Sequence, residues 1–271
     1  MLTIQRLTMS YGNTRVLEPI SLTLSEGAFA TIVGASGCGK STFLRLVLGQ
    51  EQPSSGAILL DGAPLPPEPL QARGIVFQRY SVFPHLTAWQ NLLLPHGIAS
   101  SPLTGHVRGA DRLAAEARAR ALLERTGLTA ARDRYPAQLS GGMQQRLALA
   151  QALMREPRIL LLDEPFGALD PGVRLDMHDL LLEFWREFGM TILMVTHDLP
   201  EAFKLGTRLL VFDKLRHDEQ APEAFGATIT YDLPIAGAAA TAALGQSAPD
   251  AASETEITNA TAATARFMER T

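Results

Sequence analysis

The sequence predicts an α/β fold with a parallel-sheet core, an antiparallel β subdomain and an inserted α-helical subdomain. Three observations support this prediction. Apolar strand-like runs alternate with helical segments in the second half of the chain, which is typical of parallel strands joined by crossovers. Near-alternate apolar positions at the N-terminal end indicate an antiparallel β pair. Between these regions the pattern is almost purely helical, which indicates an inserted subdomain.

The β pair at the start is assigned to residues 2–9 and 16–24, with a turn at residues 11–13 between them. An apolar run at residues 29–33 predicts a buried strand, which leads through a Gly-rich loop into a helix from about Lys40. Further strands are predicted at residues 58–60, 75–77, 159–162 and 191–195.

Helical periodicity begins at Asp111, and Gly127 is placed to end this helix. The residues predicted to share its apolar face are Leu113, Ala117, Ala121 and Leu122. Residues 95–109, which are rich in Gly, Pro and Ser, predict a loop before it. Two more helices are predicted, at residues 141–154 and around residues 175–188.

The composition limits the possible functions. The 271 residues carry a net charge of −4 and have a pI near 5.9, which argues against broad, sequence-independent nucleic-acid binding. Cys38 is the only cysteine, so no intrachain disulfide can form and a reducing cytosol is the expected compartment. We see no export signal and no run of the roughly 18 apolar residues that would span a bilayer. We therefore expect a cytoplasmic protein with no nucleic-acid partner.

A Gly-rich loop between the strand at residues 29–33 and the following helix fits the pattern G-x-x-x-x-G-K-[S/T] without a mismatch. Its residues are Gly34, Ala35, Ser36, Gly37, Cys38, Gly39, Lys40, Ser41 and Thr42. Such a loop wraps its backbone N–H groups around phosphates, and the helix N-terminus adds partial positive charge. We expect Lys40 to reach the β- and γ-phosphates and Ser41 to coordinate Mg²⁺. A Gly-rich turn without a ligand is the weaker alternative, so the sequence predicts a P-loop NTPase.

Cys38 occupies a variable position of this loop. A small residue that fits the turn is a better interpretation than a redox role. Because a helix N-terminus can lower the pKa of a thiol, we expect alkylation of Cys38 to inactivate the protein and ATP to protect it.

Two acidic residues, Asp163 and Glu164, end the apolar strand at residues 159–162. A buried strand needs a cation to compensate two carboxylates, and Mg²⁺ is the natural partner. We expect Asp163 to hold the metal through its coordination shell and Glu164 to direct the water that attacks the γ-phosphate. An exposed acidic turn, favoured by Pro165, is the alternative.

The segment Leu-Ser-Gly-Gly-Met-Gln-Gln-Arg at residues 139–146 resembles the signature of the ABC ATPase family. It places Ser140 at the cap of a helix with Gly141 and Gly142 in its first turn, a second anion-binding helix end in the chain. The resemblance, which covers about residues 1–215, implies that this end contacts the γ-phosphate of ATP held by the opposite subunit. The expected active form is therefore a head-to-tail dimer of two copies.

Four other residues match landmarks of the family. The resemblance implies that Gln78 senses Mg²⁺ and the attacking water, and that Asp170 belongs to a loop crossing the dimer interface. It also implies that His197 contacts the γ-phosphate and that Tyr11 stacks on adenine. Taken singly, Gln78 could be a surface residue, His197 a helix cap and Tyr11 a packed turn residue. Their order along the chain favours the functional interpretation.

The resemblance assigns residues 1–234 to one ATP-binding cassette, with a helical subdomain at about residues 86–157. Residues 235–271, rich in Ala, Thr and Ser, are expected to form a mobile tail. Aromatic and apolar residues within residues 78–86 match the region where the family receives the permease. The implied partners are integral-membrane permease subunits and an extracytoplasmic solute-binding protein, with the chain peripheral on the inner face of the cell membrane.

Importer subunits of the nitrate, sulfonate and taurine class look most similar overall. Like them, the chain is expected to have one cassette and no long C-terminal β domain of the sugar-importer type. A small nitrogen compound is the preferred cargo. An exporter subunit or a non-transport ABC ATPase stays open. A nucleotide kinase or GTPase is the more distant alternative, because the Asn-Lys-x-Asp motif of guanine specificity is not found.

Overall fold

The structure is a computed structural model that describes residues 1–66, 73–77, 82–100, 110–216, 220 and 224–235, with backbone only at residues 96–100 and 110. The chain divides into two compact units. The first unit comprises Met1–Glu68 and Thr191–Thr271, and the second comprises Pro69–Met190. The tail assigned to residues 235–271 lies outside the described residues except for Ile235.

The described residues form the following strands and helices, in chain order. The strands are β1 Leu2–Tyr11, β2 Thr14–Leu24, β3 Phe29–Gly34, β4 Ser55–Leu60, β5 Ala63–Pro64, β6 Arg73–Val76, β7 Ile159–Asp163, β8 Thr191–Val195, β9 Arg208–Asp213 and β10 Thr228–Pro234. The helices are α1 Lys40–Leu48, α2 Ala88–Ser100, α3 Ala110–Arg125, α4 Gly141–Leu153, α5 Pro171–Phe188 and α6 Leu199–Leu205. Short 3₁₀ turns lie at Thr129–Ala131 and Pro136–Gln138.

The first unit contains an antiparallel sheet in the order β2-β1-β4-β5, which confirms the predicted β pair. The pair closes where Tyr11 faces Thr14. Buried and exposed residues alternate only approximately along β1, because the pairing register with β2 shifts between Ile4 and Leu7. Arg6 lies at this shift and has a φ of 46°. This bulge adds one residue to the strand and returns Leu7 to the buried face.

The parallel part of the first unit places β3 between β8 and β9, with β10 antiparallel to β9. All three parallel strands are continuous apolar runs, as expected for strands covered on both faces. Val33, Leu209 and Val211 pack with Ala202 of α6 in the core of this unit. Strands β9 and β10 and helix α6 were not predicted from the sequence.

The second unit pairs β6 with β7 in parallel and packs α4 against α2, α3 and α5. The helices predicted at residues 141–154 and 175–188 are confirmed, the second starting four residues earlier at Pro171. The helix from residue 111 is also confirmed. Gly127 follows its end with φ 69°, and Leu128 N–H donates to the Leu123 carbonyl there.

The predicted apolar face of α3 is wrong. Leu113 is 70% exposed, and Ala117 and Ala121 are also exposed. Of the four predicted residues, only Leu122 is buried. The buried residues of the helix are Ala115, Ala119, Leu122 and Leu123. Because α3 is rich in Ala and Arg, two faces offer similar apolar spacing, and packing against α2 and α4 selects one of them.

The loop predicted at residues 95–109 is also wrong at its start, because α2 continues through Pro95 to Ser100. A proline inside a helix removes one N–H donor and usually breaks the helix. Here the preceding turn is anchored by the fully buried Asn91, whose amide donates to the carbonyls of Leu86 and Thr87. The N–H groups of Ala88 and Trp89 also donate to the carbonyls of Arg134 and Arg132, which anchors the start of the helix to a segment distant in sequence. Residues 101–109 lie outside the described residues.

No helix among the described residues combines the length and the apolar character that crossing a bilayer requires.

Candidate phosphate-binding site

The Gly-rich loop of the first unit connects the end of β3 at Gly34 to the start of α1 at Lys40. Gly39 is the N-cap of α1, with φ 96° and no side-chain cap. A Cβ atom at this position would lie 2.8 Å from Cδ2 of Leu17 and 3.0 Å from Cγ1 of Val16. Both the backbone conformation and the close approach therefore require glycine. With no capping side chain, the first turn of α1 presents its N–H groups toward the loop, the arrangement that binds phosphate elsewhere.

Lys40 places a cation inside this loop. Its side chain is buried, with the residue 7% exposed. The ammonium group donates to the carbonyl oxygens of Gly34, at 2.7 Å, and Ala35, at 2.8 Å. These bonds hold the positive charge of Lys40 beside the N-terminus of α1. An anion bound there is stabilised both by the lysine charge and by the partial positive charge of the helix end.

The rest of the loop differs in exposure. Ser36 and Gly37 are exposed, Ser41 is half-buried and Thr42 is buried. A Cβ atom at Gly37 would meet no atom within 4 Å, so the outer side of the loop is open. The Lys40 ammonium, the backbone N–H groups at the start of α1 and the open outer side of the loop together suit the binding of a phosphate group. The hydroxyl of Ser41 is the hard oxygen donor that Mg²⁺ prefers.

The structure argues against the lowered thiol pKa on which the expected alkylation of Cys38 rests. The residue is only 5% exposed, and its Sγ lies 3.9 Å from both the Phe212 carbonyl oxygen and the Lys40 ammonium. Burial raises the pKa of the Cys38 thiol, and this outweighs the lowering by the nearby Lys40 charge. The thiol is therefore a packed group of the loop and not an activated nucleophile.

Tyr11 lies beside the same loop. Its ring is 46% exposed, and its hydroxyl donates to the Glu51 carboxylate. The Thr42 side chain interacts with the same hydroxyl. Burial and the adjacent Glu51 carboxylate raise the pKa of Tyr11, so the hydroxyl stays protonated at neutral pH. A partly exposed aromatic ring next to a phosphate loop can stack on a nucleotide base.

His197 follows β8 and is exposed. Val195 pairs with Ile32 of β3, and Thr196 N–H donates to the Ile32 carbonyl at 3.1 Å. His197 is therefore level with the start of the phosphate loop, at the carboxyl end of the neighbouring strand. Ligands of parallel α/β sheets bind at this edge.

In the second unit, the two acids sit where β7 ends. Asp163 is its last residue, and both Asp163 and Glu164 are half-buried. Glu164 has φ 47°, a left-handed conformation that costs a residue with a side chain on the order of 1–2 kcal/mol. Such strain is common at functional sites.

Gln78 lies outside the described residues, which in this segment end at Phe77.

The signature segment begins α4 as the sequence predicts. Ser140 is the N-cap, and its hydroxyl accepts a hydrogen bond from Met143 N–H at 3.3 Å. Gly141 and Gly142 form the first turn. Asp170 is the N-cap of α5, and its side chain is exposed and makes no cap hydrogen bond. The exposed Ser140 and Asp170 thus both lie at N-terminal helix ends within the second unit.

Each unit brings part of the predicted set together: Tyr11, His197 and the phosphate loop in the first, and the starts of α4 and α5 in the second. Sequence reasoning missed two residues of the site. Glu51 is the hydrogen-bond partner of Tyr11, and Val16 lies so close to Gly39 that a side chain at residue 39 would not fit. Glu51 lies 40 residues from Tyr11 along the chain, so no local pattern could have linked them.

Comparison with known proteins gives one consistent result. The family described as ABC transporter matches residues 17–167. The chain is 42% identical, over 238 residues, to an aliphatic sulfonates import ATP-binding protein of Burkholderia cenocepacia, covering 88% of this chain and 67% of that protein. It is 39% identical, over 213 residues, to an Fe(3+) ions import ATP-binding protein of Escherichia coli O157:H7, covering 78% of this chain and 59% of that protein.

Among solved structures, the chain is similar to a dimeric ATP-binding cassette in a post-hydrolysis state bound to ADP and Pi. The TM-score is 0.71 and the sequence identity 29%, with 88% of this chain and 100% of that chain covered.

Proposed function

The chain belongs to the ABC transporter ATP-binding family, and we propose that it binds and hydrolyses ATP to power solute import through a membrane permease. The observation that carries the proposal is the Lys40 ammonium, buried against the Gly34 and Ala35 carbonyls at the uncapped start of α1. A cation placed beside a helix N-terminus and an open Gly-rich turn suits a triphosphate better than any neutral ligand.

In the proposed reaction, Lys40 and the loop N–H groups bind the β- and γ-phosphates while Tyr11 stacks on the adenine. Glu164 accepts the proton of the attacking water, and Gln78 orients that water. His197 donates to the γ-phosphate, where negative charge develops. Ser41, Asp163 and Gln78 are the residues that would hold Mg²⁺, which would supply positive charge to the phosphate oxygens.

The catalytic form we propose is a head-to-tail dimer, in which Ser140, Gly141 and Gly142 of one copy contact the nucleotide of the other and Asp170 crosses the interface. Two facts support it. The similar solved cassette is a dimer. The N-terminal ends of α4 and α5 also carry the exposed polar residues Ser140 and Asp170. A helix N-terminus with glycines in its first turn leaves its N–H groups accessible to a phosphate.

For the cargo we propose an aliphatic sulfonate or a related small anion of the nitrate and taurine class. The support is the 42% identity to a sulfonate import subunit, against 39% to an iron import subunit. The proposed partners are two permease subunits and an extracytoplasmic solute-binding protein, with this chain peripheral on the inner face of the membrane. Phe83, exposed before α2, is the described residue we assign to the permease contact.

The experiment has two parts. ATP binding and Mg²⁺-dependent ATP turnover are measured on the purified chain. The tagged chain is then isolated with its partner from native membranes, and turnover by the complex is compared with a sulfonate, nitrate, an iron chelate or no solute present. Stimulation by the sulfonate supports the full proposal. Stimulation by another solute overturns the cargo, and absence of ATP binding overturns the proposal as a whole.

A further inference from the structure

The base-stacking residue is fixed by a side chain from a distant part of the chain. Tyr11 ends β1 and precedes Gly12, whose φ of 59° turns the backbone toward β2. The tyrosine hydroxyl donates to the Glu51 carboxylate, which lies beyond the C-terminus of α1. A half-exposed tyrosine at a turn would otherwise exchange between rotamers, so this bond selects one ring orientation.

Glu51 is itself held by α1. Its second carboxylate oxygen lies 3.0 Å from the Arg45 guanidinium. Arg45 belongs to the last turn of α1, where its backbone carbonyl accepts hydrogen bonds from the N–H groups of Gly49 and Gln50. Its Nε also donates to the Ser41 carbonyl at 3.4 Å. The carboxylate therefore connects the ring of Tyr11 to the helix that begins at the phosphate loop.

We propose that Glu51 is a positioning residue for nucleotide binding: it orients Tyr11 relative to α1, so that the base and the triphosphate are bound at a fixed separation. The inference rests on the proposed function, since it presumes that Tyr11 stacks on adenine. Arg45 holds Glu51 in place through the ion pair, and a carboxylate acceptor makes a stronger bond to the tyrosine hydroxyl than a neutral acceptor would.

The geometry separates effects on the base from effects on the phosphates. Glu51 contacts Tyr11 and Arg45, whereas Lys40 and Gly39 of the phosphate loop have other partners. Removing the carboxylate should therefore loosen the stacking surface and leave the Lys40 bonds to Gly34 and Ala35 in place. Nucleotides with an adenine should bind more weakly, and inorganic tripolyphosphate, which has no base, should bind as before.

The test measures dissociation constants of ATP, ADP and tripolyphosphate by calorimetry for the full chain and three variants: Tyr11→Phe, Glu51→Ala and the double variant. We expect each single variant to weaken ATP and ADP by about three- to tenfold, the range of one lost hydrogen bond. The double variant should be no weaker than the worse single one, because both remove the same bond. Tripolyphosphate affinity should not change.

Glu18→Ala is the matched control. Glu18 is also a partly buried carboxylate paired with an arginine, with its side chain 25% exposed against 21% for Glu51. It should leave all three affinities unchanged. Any of three results would overturn the inference. These are additive losses of ATP affinity in the double variant, a loss of tripolyphosphate affinity equal to that of ATP, and wild-type ATP affinity in Glu51→Ala. Failure of the wild-type chain to bind ATP would instead overturn the proposed function.

Discussion

Gly142 of α4 lies directly against Val173 of α5: a Cβ atom at Gly142 would fall 2.5 Å from Cγ1 of Val173. The two helices can approach this closely only because residue 142 has no side chain. Ser140 and Asp170 occupy the N-cap positions of α4 and α5, so the contact also fixes the relative position of two predicted site residues. The glycine that the resemblance assigns to nucleotide contact therefore has a packing role as well.

Gly142→Ala should lower the free energy of unfolding of the chain by about 1–3 kcal/mol, the usual cost of overpacking. Val173 is β-branched and cannot easily rotate away from the new methyl group. The effect should be smaller in a Val173→Ala background, where space is restored. Urea unfolding of both single variants and the double variant measures the coupling.

Gly172→Ala is the control for this prediction. Gly172 occupies the second position of α5 as Gly142 does in α4, but a Cβ atom there would meet nothing within 4 Å. This substitution should be neutral or stabilise the chain by up to about 1 kcal/mol. Equal destabilisation by the two alanines would show that helix-start backbone preference, and not the contact with Val173, determines the cost.

Lys40→Ala should weaken ATP binding by about 10- to 100-fold, because it removes a charged donor from the phosphate loop. Equilibrium dialysis with labelled ATP measures the loss. Lys214→Ala, at an exposed lysine after β9, is the control and should bind ATP normally. Retained affinity in Lys40→Ala would contradict the assignment of this loop.

Glu164→Gln should bind ATP but hydrolyse it about 10² to 10⁴ times more slowly, the typical contribution of a general base. The variant keeps the size and the left-handed backbone of Glu164, so the turn after β7 should persist. Because ATP is not consumed, the closed dimer should accumulate, and gel filtration with multi-angle light scattering detects it. Normal turnover would refute the assigned role, and a monomer at saturating ATP would refute the dimeric site.

Cys38 should react slowly with iodoacetamide in the folded protein. The thiolate is the nucleophile, and burial raises the pKa of Cys38, so the thiolate fraction near neutral pH is smaller than for a free cysteine. Labelling should become faster as pH rises from about 7 to about 10, and should be at least about tenfold faster in urea at the same pH. Mass spectrometry follows the adduct. Equal rates in folded and unfolded protein would contradict this prediction.

Features that depend on neighbouring residues could be predicted from the sequence. The turn before Lys40, the Ser140 cap and the acids at the end of β7 each arise from a few consecutive residues, whose backbone preferences act locally. Apolar runs likewise predicted β3, β7 and β8 within a residue or two of their observed bounds.

Other features were decided only by the tertiary structure. The buried face of α3, the persistence of α2 past Pro95 and the raised pKa of Cys38 depend on contacts with segments distant in sequence. The same holds for the bond between Tyr11 and Glu51. Burial and side-chain partners are properties of packed surfaces, and packing brings together residues that no sequence spacing relates. The sequence determined which chemical groups this protein carries, and the fold decided which of them are buried, oriented or reactive.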